Sequence, residues 1–366
     1  MLICAPTVAK NINKMPWLSA PSLTQENLWP AIVPQFAPLP PLPNDPTPAD
    51  LPAGSDLSPW LTAMSAAGLQ ADRASSPDLL GQLRASADQL VDSVIITALD
   101  SDPALRFQAA VAATWPRQLI AGARLLARLA RATQVYLAIE QNAPLEWTQT
   151  LRRTAFDQSV RIVELPNDYP QADPTLIVFT LTGRRLRPHH PPPQARCLVA
   201  DAPAAATIGR WVADQGIPSW IPCALLDHRT GKSAFLKIPP AIPINRLVES
   251  AQFSHDGAFD GALPILGDLL RDRRAAWTDR IGAGELVIHL IQRDQGPPST
   301  PCIRCGWCVE LCPTGVHPAR LLDAIQRRDH RLARRAGEHS CIECGICSYA
   351  CPANLPLLDA FRRRSV

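Results

Sequence analysis

The chain has 366 residues with 36 Lys or Arg against 33 Asp or Glu, so its formal net charge at pH 7 is only +3. This length allows two or three domains with ample cores, and the small net charge gives no argument for a nucleic-acid partner, so we expect none. No apolar run approaches the roughly 20 residues of a membrane-spanning helix, and no signal peptide is evident.

Residues 1–60 are rich in proline and poor in periodicity. The segment "PQFAPLPPLPNDPTPADLP", 34–52, cannot form a helix interior or a central strand, because proline fixes φ and lacks the backbone donor. We predict an extended N-terminal arm, partly polyproline II. The arm is either a tether or a segment that packs on a partner.

From about residue 90 the pattern changes to alternating strands and helices, which predicts a parallel sheet with helices packed on it. The segment "RQLIAGARLLARLARA", 117–132, is an amphipathic helix, and another helix is expected around 145–157. We place this α/β domain at residues 61–183. The predicted strands are "SVIITAL" at 93–99, "QVYLAIE" at 134–140 and "VRIVEL" at 160–165.

Residues 184–295 are rich in loops, with short apolar pieces such as "CLVA", "WIPCALL" and "AFLKI". These pieces favour small β-structure. Two further apolar segments, "GALPILGDLLRD" at 261–272 and "GELVIHLI" at 284–291, connect this region to the C-terminal domain.

The C-terminal region contains one cysteine motif twice, as "CIRCGWCVELCP" at 302–313 and "CIECGICSYACP" at 341–352. Each copy reads Cys-x2-Cys-x2-Cys-x3-Cys-Pro, the bacterial [4Fe–4S] signature in which the fourth cysteine ligates the cluster of the other motif. Thiolates suit iron–sulfur clusters, and glycine lets the backbone approach them closely. The predicted ligands are Cys302, Cys305, Cys308 and Cys351 for one cluster and Cys341, Cys344, Cys347 and Cys312 for the other.

Two zinc knuckles are an alternative, because zinc also takes four cysteines with Cys-x2-Cys spacing. A zinc site, however, requires neither the third cysteine at this spacing nor the Cys-Pro ending. Disulfides are a weaker alternative. The remaining Cys4, Cys197 and Cys223 are scattered, and we interpret them as buried or inert thiols. Free thiols indicate a reducing compartment, so we expect a cytoplasmic protein.

Between the motifs, "HPARLLDAIQRRDHRLARRAG" has apolar residues at helical spacing, and the tail "LPLLDAFRRRSV" predicts a last helix. A helical connector favours an α-helical ferredoxin domain, at residues 296–366, over the hairpin repeat of small bacterial ferredoxins. Arginine clusters at 327–335 and 362–364 could dock an acidic carrier such as ferredoxin or flavodoxin. The alternatives are a solvated helix face and a patch near anionic lipid.

With the cysteine motifs placed behind an α/β domain, the chain resembles the C subunit of the Rnf (also Rsx) ion-translocating electron transport complex. Both cysteine motifs are similar to the family's almost residue for residue, and "VRIVELPNDYPQADPTLIVFTLTGRRL" resembles a stretch ending in the family's Leu-Thr-Gly-Arg. "VIITALDSDP" lies where the family has a strand and an acidic turn, and "GALPILG" resembles its Gly-Gly-Pro-Met-Met-Gly turn.

The resemblance implies a membrane-bound complex that exchanges electrons between NADH and ferredoxin, with this subunit on the cytoplasmic face of the inner membrane and held there by partner subunits. It also implies a fold. An α/β domain akin to the flavin- and NADH-binding flavoprotein of respiratory complex I is followed by a small β-grasp-like (SLBB-like) region and two [4Fe–4S] clusters.

The chain departs from this family at the loop that cradles flavin and nucleotide phosphates, of the type Gly-x-Gly-Gly-x-Gly-Phe-Pro-Thr. Phosphate cradles need glycine, because a Cβ would keep backbone N–H groups from the anion. The corresponding "AAGLQADRASSPD", 66–78, has only Gly68, and Asp72 would repel phosphate. The acidic turn is reduced to Asp100, Ser101, Asp102 and Pro103, which we interpret as a helix-capping turn. The N-terminal barrel-sandwich domain has no counterpart in the arm. We expect that FMN and NADH do not bind.

The sequence thus predicts a two-cluster electron-transfer subunit of an Rnf-like, membrane-associated complex. We expect a relay without catalytic residues, whose α/β domain is a degenerate, flavoprotein-like scaffold. One alternative is a flavin-dependent NADH dehydrogenase subunit with a remodelled nucleotide loop. Another is a structural zinc protein.

Overall fold

The computed structural model describes residues 57–66, 68–100, 106–156, 159–214, 220–251, 259, 261–271, 273–281, 286–292 and 298–363. Nearly all of the predicted N-terminal arm lies outside these ranges, as do the last residues of the chain.

The first domain is built on a four-stranded parallel sheet with strand order β3-β2-β1-β4. Every residue of β1 is buried, because helices cover both faces of the sheet. The first three strands lie where the sequence predicts them. The strands are β1 (Ser93–Thr97), β2 (Gln134–Glu140), β3 (Val160–Leu165) and β4 (Cys197–Asp201).

In the described residues, seven α-helices surround this sheet. The predicted amphipathic helix is α4, which begins with Pro116 at a position where its missing N–H costs nothing, and its apolar face is buried. The helices are α1 (Ser58–Ala66), α2 (Leu79–Ala85), α3 (Phe107–Thr114), α4 (Pro116–Ala130), α5 (Leu145–Ala155), α6 (Pro174–Thr182) and α7 (Ala202–Asp214).

Helices α4 and α7 approach each other so closely that only glycine fits at their crossing. An ideal Cβ on Gly122 would lie 1.9 Å from the carbonyl oxygen of Ala205, and one on Gly209 would lie 1.7 Å from that of Gln118. Any side chain here would therefore force the two helices apart.

Strand β4 corrects the predicted domain boundary at residue 183. Its "CLVA" segment falls in the predicted loop-rich second region, but it pairs in parallel with β1, from Ser93 opposite Cys197 to Thr97 opposite Asp201. The first domain therefore extends through α7. Local periodicity identifies a strand but not its partner, and this pair joins segments about a hundred residues apart.

The second domain is a mixed sheet with strand order β6-β5-β10-β8. Strands β5 and β6 form an antiparallel hairpin, and β10 pairs in parallel with β5 at the centre of the sheet. This arrangement agrees with the expected β-grasp-like region. Its elements are β5 (Ile221–Asp227), β6 (Lys232–Ile238), β7 (Ile242–Pro243), α8 (Ile244–Ser250), β8 (Ala262–Leu266), β9 (Arg280–Ile281) and β10 (Val287–Gln292), with a 3₁₀ turn at Leu269–Arg271.

The C-terminal domain is helical, as the connector between the cysteine motifs predicts. Each motif contains a short helix and is followed by a longer one, and these helices pack around buried Val316, Leu321 and Leu357. No helix in the described part of the chain is long and apolar enough to cross a membrane. The helices are α9 (Trp307–Glu310), α10 (Pro318–Gln326), α11 (His330–Arg335), α12 (Ile346–Tyr349) and α13 (Leu357–Arg362).

Candidate metal centre and the carboxyl edge of the parallel sheet

The two cysteine motifs fold into the same local structure. In the first, the backbone turns through positive φ at Arg304 (57°) and Gly306 (85°) before α9 begins. In the second, Glu343 (52°) and Gly345 (81°) do the same before α12. Residues that carry a Cβ rarely adopt such backbone angles, so the glycine of each motif allows the loop to turn back on itself. The repeated sequence therefore encodes a repeated loop.

The structure brings the two cysteine motifs together, and we describe their eight cysteines as the two predicted sets of four. Cys302, Cys305 and Cys351 lie close enough to Cys308 for their charges to act on it. In the second set, Cys312 acts in the same way on Cys341, Cys344 and Cys347. The fourth cysteine of each motif thus lies near thiols of the other motif, and Cys308 also acts on Cys347. The division into two ligand sets stays a prediction.

These two sets are surrounded very differently. We call Cys302, Cys305, Cys308 and Cys351 the exposed set, because Cys302 and Cys305 face solvent and the neighbouring Ile303 is 65% exposed. We call the other four cysteines the interior set. Ile342, the counterpart of Ile303, is only 3% exposed, because the second motif packs against Tyr169 and Leu270 of the other domains.

Burial acts directly on the thiols of the interior set. It raises the pKa of Cys347 to about 12 and that of Cys344 well above its ordinary value. A cluster binds thiolates, so loading the interior set releases protons. Backbone groups favour the thiolate: the N–H of Ile346 lowers the pKa of Cys344, and the N–H of Val316 donates to Cys312 Sγ at 3.3 Å. Such hydrogen bonds also tune cluster potentials.

In the described residues, the motif cysteines included, no three or more His, Cys, Asp or Glu are arranged to hold a single metal ion. In a [4Fe–4S] cluster each thiolate binds a different iron, so its four cysteines lie farther apart than the ligands of one ion. Cys197 and Cys223 are buried outside the two sets, as expected for inert thiols, and burial raises the pKa of both.

Three residues near the interior set were missed by the sequence analysis. Tyr169 Oη donates to the carbonyl of Cys344, Arg271 Nη1 donates to the carbonyl of Ile342 at 3.0 Å, and Asp173 pairs with Arg271 at 2.9 Å. All three belong to the first two domains. No motif spacing links them to the cysteines, so only the docking of the domains identifies them.

The carboxyl edge of the parallel sheet is where open α/β domains bind ligands, at the point where strand order reverses. Here that point lies between β1 and β4, and it is filled by the chain itself. Arg73, from the stretch that corresponds to the family's glycine-rich loop, donates from Nε to Asp201 Oδ2 at 2.6 Å. Ser75 Oγ donates to the same oxygen at 3.1 Å. Arg73 is 7% and Asp201 0% exposed.

This ion pair leaves almost no room for a ligand. The adjacent cavity, lined in part by Gly68, Arg73 and Ala204, measures about 20 Å³, which holds about one water. Burial by itself would raise the pKa of Asp201, but the Arg73 charge and the hydrogen bonds outweigh it and lower this pKa. Asp201 is therefore an anion at neutral pH, inside the domain.

Helix N-termini, the usual phosphate sites of such domains, are also occupied by the protein's own carboxylates. Asp201 accepts the Ala204 N–H at 2.9 Å at the start of α7. Asp78 and Asp173 cap α2 and α6 in the same way. Asp100 Oδ1 accepts the Gln108 N–H at 2.7 Å near the start of α3, which matches the capping interpretation; Asp102 lies outside the described residues.

A larger cavity of about 550 Å³ lies between α2, α6 and the Ile342 loop. Its lining includes Asp72, Asp78 and Asp173, which repel phosphate, while its Arg73 and Arg271 are already paired with carboxylates. Neither the carboxyl edge nor this cavity presents a phosphate cradle. The described residues at these two places do not fit a flavin mononucleotide.

Two family models match the chain. Residues 80–210 match the Nuo51 FMN-binding domain, and residues 301–355 match a 4Fe-4S dicluster domain. The first match agrees with the predicted flavoprotein-like fold, and it bears against the expectation that FMN does not bind. The second supports the predicted [4Fe–4S] clusters.

Curated relatives are ion-translocating oxidoreductase complex subunits C. That of Pasteurella multocida (strain Pm70) is 25% identical over 283 residues, which cover 76% of this chain and 33% of the relative. That of Rhodobacter capsulatus is 27% identical over 295 residues, covering 76% and 54%. The chain thus spans about a third to a half of the length of these relatives. The predicted family resemblance is confirmed.

Among solved structures, a chain of an NAD+-reducing [NiFe]-hydrogenase in the air-oxidized state matches with a TM-score of 0.54 and 14% identity, over 85% of this chain and 64% of that one. The same enzyme in the H2-reduced state gives a TM-score of 0.55 and 15% identity, over 84% and 63%. These likenesses confirm the fold.

Proposed function

We propose that this relative of the ion-translocating complex C subunits is an iron–sulfur electron-transfer subunit of an Rnf-like complex. The observation that carries the proposal is the closeness of the two cysteine motifs, in which the fourth cysteine of each acts on thiols of the other. The exposed set and the interior set each hold one [4Fe–4S] cluster. Such clusters accept and donate single electrons.

In this proposal the α/β domain is a scaffold that binds neither FMN nor NADH. Supporting observations are the buried Arg73–Asp201 pair at the carboxyl edge of the sheet and the aspartates that cap the helix N-termini. The domain retains a structural task, since its Tyr169 and α6 contact the interior motif.

The proposed route to a redox partner is the surface over the exposed set. Ile303, Trp307 and Tyr349 are exposed large apolar residues of the two cysteine motifs, and Arg304 lies exposed among them. An apolar surface with a positive charge suits an acidic carrier such as ferredoxin or flavodoxin, or another subunit of the complex. The proposed location is peripheral, on the cytoplasmic face of the inner membrane, held by partner subunits.

The test is analysis of one anaerobically purified sample for iron, zinc and flavin, together with its visible spectrum. We expect about eight irons per chain, little zinc or flavin, and a broad band near 400 nm that is bleached by dithionite and not by NADH, as for two cubane clusters. Cys305→Ala should retain about four irons. The control Cys197→Ala, a buried cysteine outside both sets, should retain all of them. A colourless zinc-containing protein, or a full iron content in Cys305→Ala, would refute the assignment.

A second candidate is a flavin-dependent NADH dehydrogenase subunit with a remodelled nucleotide loop, which the match of residues 80–210 to an FMN-binding domain favours. It predicts flavin bands in the purified protein and their bleaching by NADH. The same sample therefore separates the two proposals.

A further inference from the structure

The interior set lies beside an arginine that comes from outside the cysteine-containing domain. Arg271, at the end of the 3₁₀ turn in the second domain, is largely buried and donates from Nη1 to the carbonyl of Ile342 at 3.0 Å. Ile342 directly follows Cys341. The Arg271 charge acts on both Cys341 and Cys344 and favours their thiolates.

Two buried carboxylates hold this guanidinium in place. Nη2 pairs with Asp173 at 2.9 Å, and Nε pairs with Asp268 at 3.3 Å. A further contact fixes the backbone, since Arg362 donates from Nη1 to the carbonyl of Arg271 at 2.6 Å and from Nε to Glu343 at 3.1 Å. The arginine therefore has one geometry, aimed at the interior loop.

The corresponding position of the first motif is different. Ile303 is largely exposed, and Arg271 is not among the main charges that act on Cys308 of the exposed set. Two nearly identical motifs thus receive different electrostatic surroundings, because only the second one docks on the other domains.

We infer that Arg271 is the counter-charge of the interior cluster, raising the reduction potential of that cluster and leaving the exposed one unaffected. The inference rests on the proposed clusters. Reduction adds one electron to an already anionic group, so a nearby positive charge stabilises the reduced form. The effect is strong where water is excluded, because the effective dielectric constant is low. The negative charge of Asp173 has the opposite effect and lowers the reduction potential of the interior cluster.

A structural role predicts a different outcome from a charge role. Arg271→Gln and Asp173→Asn break the same ion pair, so loss of packing would move the interior potential in one direction in both variants. The charge role predicts opposite shifts: a lower potential in Arg271→Gln and a higher one in Asp173→Asn. Arg271→Lys keeps the charge and should stay closer to the wild type than Arg271→Gln.

The experiment is a potentiometric titration of the full chain, followed by electron paramagnetic resonance, after iron analysis of each variant. The interior signal is identified as the one that survives in Cys305→Ala. In Arg271→Gln we expect the reduced-to-oxidised ratio of the interior cluster at a fixed potential to fall about tenfold. This corresponds to a reduction potential lower by about 59 mV for one electron. The exposed cluster should not shift. The control Arg246→Gln removes an exposed arginine paired with Glu249, and it should shift the potential of neither cluster.

Equal potentials in Arg271→Gln and the wild type, or shifts of the same sign in Arg271→Gln and Asp173→Asn, would overturn the inference. If Arg271→Gln fails to load the interior cluster, the test is the potential of that cluster in Asp173→Asn. An unchanged or lowered potential in this variant would also overturn the inference. Absence of iron from the wild-type protein would instead refute the proposed function.

Discussion

Gly306 and Gly345 form a matched pair in which the same substitution meets two different environments. Both glycines precede a short helix in their motif, with φ of 85° and 81°. A Cβ on Gly306 would meet nothing within 4 Å. A Cβ on Gly345 would lie 1.9 Å from the carbonyl oxygen of Leu270 and 2.8 Å from its carbonyl carbon. The difference between Gly345→Ala and Gly306→Ala therefore isolates the docking of the interior motif.

The expected magnitude follows from these contacts. Both variants pay a similar cost of roughly 1–2 kcal/mol for a side chain in a left-handed conformation. Gly345→Ala must also push the Leu270 backbone away, and such overpacking costs about 1–3 kcal/mol more. Since about 1.4 kcal/mol is a factor of ten, docking of the interior motif should weaken roughly 5- to 150-fold relative to Gly306→Ala.

The assay is the rate of cluster loss under anaerobic conditions at one fixed guanidinium concentration, followed by visible absorbance. We expect biphasic loss, with the interior phase accelerated in Gly345→Ala and nearly unaffected in Gly306→Ala. Iron content before the assay controls for loading. Equal rates of the interior phase in the two variants would contradict the close contact with Leu270 and the docking geometry built on it.

Three further predictions concern the other domains and the exposed surface. Gly122→Ala should lower the free energy of unfolding by about 1–3 kcal/mol, because the added Cβ forces α4 away from α7. This loss should outweigh alanine's roughly 1 kcal/mol advantage over glycine in helices. Calorimetry measures the change, and a stabilised variant would contradict the close approach of the two helices. Asp201→Asn should destabilise by about 3–5 kcal/mol at pH 7, since it leaves the Arg73 charge buried and unpaired. Because the pKa of Asp201 is lowered, the pair contributes fully above the unfolded pKa of 3.8 and loses its contribution as pH falls from there through the folded pKa. Denaturant titrations from pH 7 to 3 should therefore show the onset of this loss in the wild type and not in the variant. Trp307→Ala should slow electron transfer to an acidic carrier, measured by stopped flow, while its iron content stays unchanged. The control Phe156→Ala, which replaces a side chain 85% exposed on the α/β domain, should not slow it. Equal rates in the two variants would exclude the surface over the exposed set as the docking site.

Three strands of the parallel sheet and the helical fold of the cysteine-containing domain could be predicted from the sequence, because each depends on local spacing; the ligand sets stay a prediction. Cys-x2-Cys-x2-Cys places three thiols on one loop whatever surrounds it. β-branched runs such as Val94–Ile96 form buried strands because their side chains suit a covered pleated sheet.

Long-range partners could be identified only in the tertiary structure. Arg73 and Asp201 lie 128 residues apart in sequence, and no local pattern indicates that they close the carboxyl edge of the sheet. Strand β4 likewise resembles any short apolar segment until it pairs with β1.

The two cysteine motifs show the same division most clearly. Their sequences determine two similar loops and two similar sets of thiols. Which loop is buried and which faces solvent depends on the domain that docks against it, and so does the placement of Arg271 beside the interior set. Burial and charge are properties of the space around a residue, so the same twelve-residue motif acquires two electrostatic environments in one fold.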